Sequence, residues 1–241
     1  MGSVTPDQRT VVPVDGGELP VQVFLPPSGS GPGLVVCQEI FGVTDYIRSR
    51  ARDLADLGYV VLVPESYWRL GSPVIGEDAD HLEEAMAASG RLDWEQTVAD
   101  TEAATRALRE RPEVGGRPVG LVGFCFGGGL AWATTAALTR AGEPPAALVA
   151  YYGSQIPSLL ELADLVRVPQ LHHWGTADQF IPVERVAAVE AATAGGQTTF
   201  VRHEGAGHAF DNPTPVFHHA QASADAWART SAWLAEHLPL A

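Results

Sequence analysis

The chain has 241 residues, 46% of them hydrophobic, a formal net charge of -14 and two cysteines. That apolar fraction excludes intrinsic disorder, and so acidic a surface repels phosphate backbones and anionic bilayers, which argues against nucleic-acid and membrane partners. Two thiols are too few for a disulfide framework at this length, so a reducing, cytoplasmic setting is expected.

The opening MGSVTPDQRTVVPVDGG has no basic start followed by an apolar core and does not read as a signal peptide. No apolar run reaches the ~18–20 residues that span a bilayer. Thr10–Val14 and Pro20–Leu25 are β-rich and flank the turn signal Asp15-Gly16-Gly17, a hairpin pattern. Gly33–Cys37 is a short apolar strand, Asp45–Leu57 a helix stopped by Gly58, and Tyr59–Val63 a second buried strand ended by Pro64. The polar stretch Ser66–Arg91, with a short helix at Asp80–Ala88, is the one irregular segment long enough to lie over a pocket as a lid. Asp93–Arg111 and Phe126–Thr139 read as helices around the strand Pro118–Gly123. Strands at Ala146–Tyr152, Pro169–Trp174 and Thr198–His203 follow, with helices at Pro182–Ala194 and Phe217–His237.

Strand and helix therefore alternate after the first hairpin, and the strands are apolar throughout. Such strands are covered on both faces, which predicts an α/β class: one doubly wound, mostly parallel sheet with an N-terminal antiparallel hairpin. No linker or repeat divides the chain, so residues 1–241 are expected to form a single domain, with 66–91 as its lid.

The candidate chemistry centres on GLVGFCFGGG at 120–129. Gly123-Phe124-Cys125-Phe126-Gly127 has the G-x-C-x-G spacing of a nucleophile elbow, in which the reactive side chain stands on a tight strand-to-helix turn that only glycines can flank. The helix N-terminus there also favours a thiolate. A buried structural cysteine beside a glycine-rich turn is the competing reading. An acid and a histidine should follow in chain order. Asp178, just past the 169–174 strand, and His208, in the small-residue loop EGAGHAF after the last strand, occupy those places. Asp164 and Glu184 compete as the acid but fall on predicted helices. Two N–H groups for an oxyanion are expected from Phe126 and from Ile40, in the loop after the first parallel strand. Glu39 is a carboxylate at the floor of an apolar site: either a cap or ion-pair partner, or a group that manages the ionisation of Cys125. One of His172 and His173 is expected at the pocket wall, and adjacent on a strand they face opposite sides and make a poor metal pair.

Taken together, QEIFGV at 38–43, SYWR at 66–69, VGLVGFCFGGG at 119–129, YYG at 151–153, GTAD at 175–178 and GAGHAF at 205–210 make the chain resemble the dienelactone hydrolase (carboxymethylenebutenolidase-like) family of the α/β-hydrolase fold. The resemblance covers nearly the whole chain. It implies hydrolysis of a carboxylic ester or lactone without cofactor or metal, with Cys125 as nucleophile, His208 as base, Asp178 as orienter, Glu39 as promoter of thiolate formation, and Ile40 and Phe126 as oxyanion donors. It further suggests Phe41, Tyr67, Trp68, Arg69 and His173 as substrate contacts, and a monomer or weak homodimer acting on a small molecule. Family members acting on dienelactone clamp its carboxylate with two arginines, one after the Tyr-Trp-Arg motif and one just past the catalytic histidine. Here Ala-Phe-Asp-Asn-Pro follows His208 and no arginine lies in 70–90, which points to a neutral substrate. A cysteine peptidase or acyl transferase, or a non-catalytic ligand-binding protein on the same fold, are the alternatives.

Overall fold

The structure, a computed structural model, describes residues 4–240; Met1–Ser3, part of the opening read against a signal peptide, lie outside that range. The first two strands, β1 (Gln8–Val14) and β2 (Gly17–Phe24), form a hairpin in which Val14 faces Gly17 across Asp15-Gly16. It starts two residues earlier than the sequence pattern suggests, because exposed Gln8 and Arg9 join the ladder through backbone bonds that leave no mark in hydropathy. There follow β3 (Gly33–Cys37), α1 (Asp45–Asp56), β4 (Val60–Pro64), α2 (Leu82–Gly90), α3 (Trp94–Arg109), β5 (Val119–Phe124) and α4 (Phe126–Arg140). The chain continues through β6 (Leu148–Tyr151), β7 (Gln170–Gly175), α5 (Val183–Ala192), β8 (Thr198–His203) and α6 (Ala220–His237).

All eight strands join one sheet in the order β1-β2-β4-β3-β5-β6-β7-β8. β2 pairs antiparallel with both its neighbours, and the pairs from β4 to β8 are parallel. Every residue of β3, β4 and β5 is buried, as strands covered on both faces must be. The two faces can be told apart at glycines. A Cβ added at Gly33 would strike Leu108 of α3, whereas one at Gly120, whose register partner is Leu34, would meet Leu238 just past α6. Neighbouring positions along a strand face opposite ways, so α3 covers one face and the end of α6 the other.

Parallel strands all end on one edge, and the loops leaving that edge carry residues 38–44, 125–126, 152–155, 176–181 and 204–219. The segment 66–91 folds as short helical turns at Trp68–Leu70 and Ala79–His81 followed by α2, and packs against the loop after β3 through Phe41. It has a small core of its own, in which Tyr67, Ile75, Ala85 and Ala88 pack around Phe41. Short 3-10 turns at Ile156–Ser158 and Leu160–Leu165, which carry no clear sequence period, link β6 to β7. Among the described residues no helix is long and apolar enough to cross a membrane.

Candidate active site

Between β5 and α4 the chain reverses at a single residue. Cys125 has φ 52° and ψ -118°, a conformation that costs a non-glycine residue on the order of 1–3 kcal/mol. Its surroundings hold it there: the Cys125 N–H donates to the Tyr151 carbonyl at 3.0 Å, and the Cys125 carbonyl accepts from Gly128 at 2.9 Å and Ser154 at 3.1 Å. The glycines answer a need for space. A Cβ at Gly123 would lie 2.0 Å from the Gly127 carbonyl oxygen, and one at Gly127 would lie 2.2 Å from that of Cys37. Strand, turn and helix are thus packed backbone against backbone, with Cys125 at the N-cap of α4 and Phe126 as its first residue. The first N–H groups of a helix have no acceptor within it.

His208, from the loop after β8, reaches the sulfur. Its Nε2 lies 3.1 Å from Cys125 Sγ, and its Nδ1 lies 2.7 Å from Asp178 Oδ2. Asp178 is buried past the end of β7, and its other oxygen accepts the Phe180 and Ile181 N–H groups at 2.8 and 3.0 Å. Those two bonds fix the carboxylate, which fixes the ring. Burial by itself would lower the His208 pKa, but the adjacent Cys125 sulfur and the Asp178 carboxylate outweigh it and hold it up at about 10. Asp164, by contrast, is exposed and pairs with Arg167, and Glu184 lies in the first turn of α5.

Glu39 is 1% exposed. Burial, reinforced by the charge of Glu77, pushes its carboxyl up to about 7 although the Asn212 amide donates to Oε2 at 2.9 Å. Next to it, the Ile40 carbonyl accepts the Tyr67 hydroxyl at 2.6 Å, which sets the orientation of the loop peptides beside Cys125.

Cys125 and His208 open into a cavity of about 480 Å³. Its walls are largely aromatic and aliphatic: Phe41, Leu82, Met86, Trp94, Phe126, Phe180 and Phe217 line it with Ile40 and Glu39. Ser154 Oγ stands 4.0 Å from the sulfur. Leu82, Met86 and Ser89 come from the segment 66–91. Among the described residues no arginine lines this cavity, and no three His, Cys, Asp or Glu side chains gather as metal ligands.

Three residues expected at the substrate are elsewhere. Trp68 and Arg69 turn away from the cavity onto Asp100 of α3. The indole donates to Oδ2 at 2.9 Å and the guanidinium grips both oxygens at 3.0 and 2.9 Å. Asp100 is only 4% exposed, and a carboxylate that buried requires such partners. His173 is fully buried under α6, between His203 Nε2 and Thr230 Oγ1 at 3.0 Å each, and burial holds its pKa well below the ordinary value. Tyr67, in the small core of the segment 66–91, lines a neighbouring cavity of about 380 Å³ rather than that of Cys125, and Phe41 lines both. Sequence reasoning passed over Trp94, Phe180, Phe217, Met86, Ser154, Tyr152 and Glu77. A capping aspartate before Trp94 and the run Pro-Val-Phe at 215–217 are the only local signals, and neither points to a pocket wall.

The model of the dienelactone hydrolase family matches residues 19–238. The chain is 31% identical over 227 residues to the carboxymethylenebutenolidase of Pseudomonas sp. (strain P51), covering 93% of each chain. It is 34% identical over 215 residues to that of Pseudomonas putida, covering 87% of this chain and 88% of the other. Among solved structures it resembles a putative dienelactone hydrolase from Klebsiella pneumoniae, with a TM-score of 0.81, 27% identity and coverage of 95% and 98%. It also resembles a dienelactone hydrolase-like promiscuous phosphotriesterase from metagenomic libraries, with a TM-score of 0.75, 25% identity and coverage of 95% and 97%.

Proposed function

Since this chain belongs to the dienelactone hydrolase family of α/β-hydrolases, we propose that it hydrolyses uncharged carboxylic esters or lactones through an acyl-enzyme on Cys125. The row Asp178–His208–Cys125, with contacts of 2.7 and 3.1 Å at the floor of an apolar cavity, carries this reading.

An imidazolium and a helix N-terminus both favour a thiolate in their field. The Cys125 sulfur adds to the substrate carbonyl, and the developing oxyanion takes hydrogen bonds from the Phe126 and Ile40 N–H groups. The carbon–oxygen bond to the leaving group breaks as His208 Nε2–H gives it a proton, leaving a thioester. Water then adds to the thioester, with its proton passing to His208, and the acid departs as the sulfur regains its electrons. Asp178 keeps the ring in the tautomer that presents Nε2 to the sulfur.

Charge selects the substrate. Moving a carboxylate into a partly dry pocket without a cation costs several kcal/mol. Arg69, the arginine of the Ser-Tyr-Trp-Arg motif, is held by Asp100 and by the Asp15 carbonyl at 2.6 Å, and Glu39 adds a carboxyl to the wall. The test is a matched pair of lactones, one with a free carboxylate and one with its methyl ester at the same place. The expected result is a higher kcat/KM for the neutral member, abolished by Cys125→Ala. A clear preference for the anion would overturn the neutral-substrate reading, and undiminished turnover by Cys125→Ala would overturn the acyl-enzyme.

A further inference from the structure

Asn212 joins two carboxylates that have no other obvious reason to meet. It is fully buried in the loop after β8. Its own N–H donates to the Ala209 carbonyl at 2.9 Å, and its side-chain oxygen accepts the Thr214 N–H at 3.0 Å. With the oxygen so engaged, the amide NH2 must face the other way. There it lies 2.9 Å from Glu39 Oε2 and 3.5 Å from Glu77 Oε1. Glu39 comes from the loop after β3 and lines the cavity that holds Cys125; Glu77 comes from the covering segment and lines the neighbouring cavity. One neutral donor group thus serves two half-buried or buried acids on opposite sides of a wall.

Such an arrangement does not hold two charges comfortably. A single amide cannot neutralise either carboxylate, and like charges this close favour retention of a proton by one of them. The other polar groups facing Glu39 pull toward the charged form but do not outweigh its burial. They are His208 beside it and Tyr152 at the end of β6, while Tyr46 on α1 has its hydroxyl committed to Asp211 at 2.6 Å. Among the described residues no donor meets Glu39 Oε1 at full hydrogen-bond geometry, although the Tyr152 hydroxyl bears on the carboxyl. Around Glu77 stand Thr44, Asp45 and Arg48, and the Arg48 guanidinium is itself engaged with Asp45 at 2.8 Å. Burial raises both carboxyls above their ordinary values, with Glu77 adding to it at Glu39 and Asp45 at Glu77, against the opposite pull of Asn212 on both, of His208 and Tyr152 on Glu39, and of Thr44 and Arg48 on Glu77.

We propose that Glu77 is a positioning residue: through the Asn212 amide that the two acids share, its charge decides whether Glu39 holds a proton, so that the covering segment, when seated, keeps Glu39 neutral in the cavity of Cys125. The inference rests on Cys125 being the reactive group, and it adds a control that no residue touching substrate supplies. Lifting 66–91 carries Glu77 away and releases Glu39 to ionise. Access to the cavity and the charge at its floor are thereby tied to one movement.

The test is a ¹³C NMR titration of glutamate-labelled protein, with the Glu39 carboxyl assigned by its loss in Glu39→Gln. In Glu77→Gln the Glu39 midpoint should fall by about one pH unit, a tenfold change in its proton affinity, because a neighbouring negative charge is gone. Glu77→Asp, which keeps the charge, should restore most of the parent midpoint. A Glu39 midpoint unmoved in Glu77→Gln, or moved equally in Glu77→Asp, overturns the proposal. Iodoacetamide alkylation of Cys125 against pH, followed in the same proteins, should shift with the NMR midpoint and lose its dependence on Glu77 in the Glu39→Gln background. An alkylation profile indifferent to Glu39 counts against the role of Glu39 at the sulfur, and the NMR midpoint then decides on Glu77 alone.

Discussion

Replacing Glu39 by glutamine removes a charge the fold has to carry without water. The glutamine side-chain oxygen can still accept the Asn212 amide, so shape and the one hydrogen bond survive. The Glu39 carboxyl titrates at about 7 in the folded chain against an ordinary 4.5. Between those values the unfolded chain releases a proton that the folded chain keeps, so stability falls as pH rises through that window. The penalty is absent below the lower value and complete above the upper one. At about 1.4 kcal/mol per unit of pKa, a shift of this size corresponds to roughly 3 kcal/mol. Glu39→Gln should therefore gain about 3 kcal/mol over the parent at pH 8 and less than about 1 kcal/mol at pH 5. For a chain of this length the gain at pH 8 is a rise of about 6 °C in Tm. Differential scanning calorimetry of both proteins at both pH values checks this. The reasoning fails if the difference in Tm is the same at the two pH values, or if the variant melts lower at pH 8.

Three further outcomes follow from geometry. Asp178→Asn should fold normally, since the Phe180 and Ile181 N–H groups can still bond its oxygen, yet lose about 10³–10⁴ in kcat because the imidazole loses the partner that fixes its tautomer; steady-state kinetics with melting curves separate the two effects. Gly127→Ala should yield little folded protein, as its Cβ would sit 2.2 Å from the Cys37 carbonyl oxygen with no flexible atom to yield, a result read by soluble yield and circular dichroism. Arg69→Ala should leave kcat/KM for a neutral ester within twofold while lowering stability by only about 1 kcal/mol, because the arginine is solvent-facing and Asp100 keeps the Trp68 indole and Gln96 amide as donors.

The reach of the sequence ended where contacts became distant. The strand-to-helix turn at Cys125 was legible because its constraint is local: glycines two residues either side are required by the backbone itself. The parallel sheet was legible in the same way, from strands such as Val60–Pro64 that have no polar face. Asp178 and His208 were legible because the ends of parallel strands share an edge. Arg69 was not, since its direction is decided by Asp100 on a helix some thirty residues on. His173 failed for a related reason: strand parity says that it and His172 part company, but not that its side belongs to α6 and Thr230. The joint hold of Asn212 on Glu39 and Glu77 spans three loops, and no spacing in one chain announces it.

The first turn of the segment 66–91 is anchored on α3 through Trp68, Arg69 and Asp100, whereas its later part, from Ile75 to Ala88, packs in a small cluster around Phe41 apart from the main core. A satellite of that size buries little apolar surface, and such units open at a free energy well below that of the whole molecule. The elbow belongs to the opposite regime, locked by backbone contacts between β5, α4 and the end of β3. The protein thus has two thermal horizons. On warming, the wall that α2 lends to the cavity is expected to loosen before the elbow does, so selectivity among substrates should fade at a lower temperature than turnover itself.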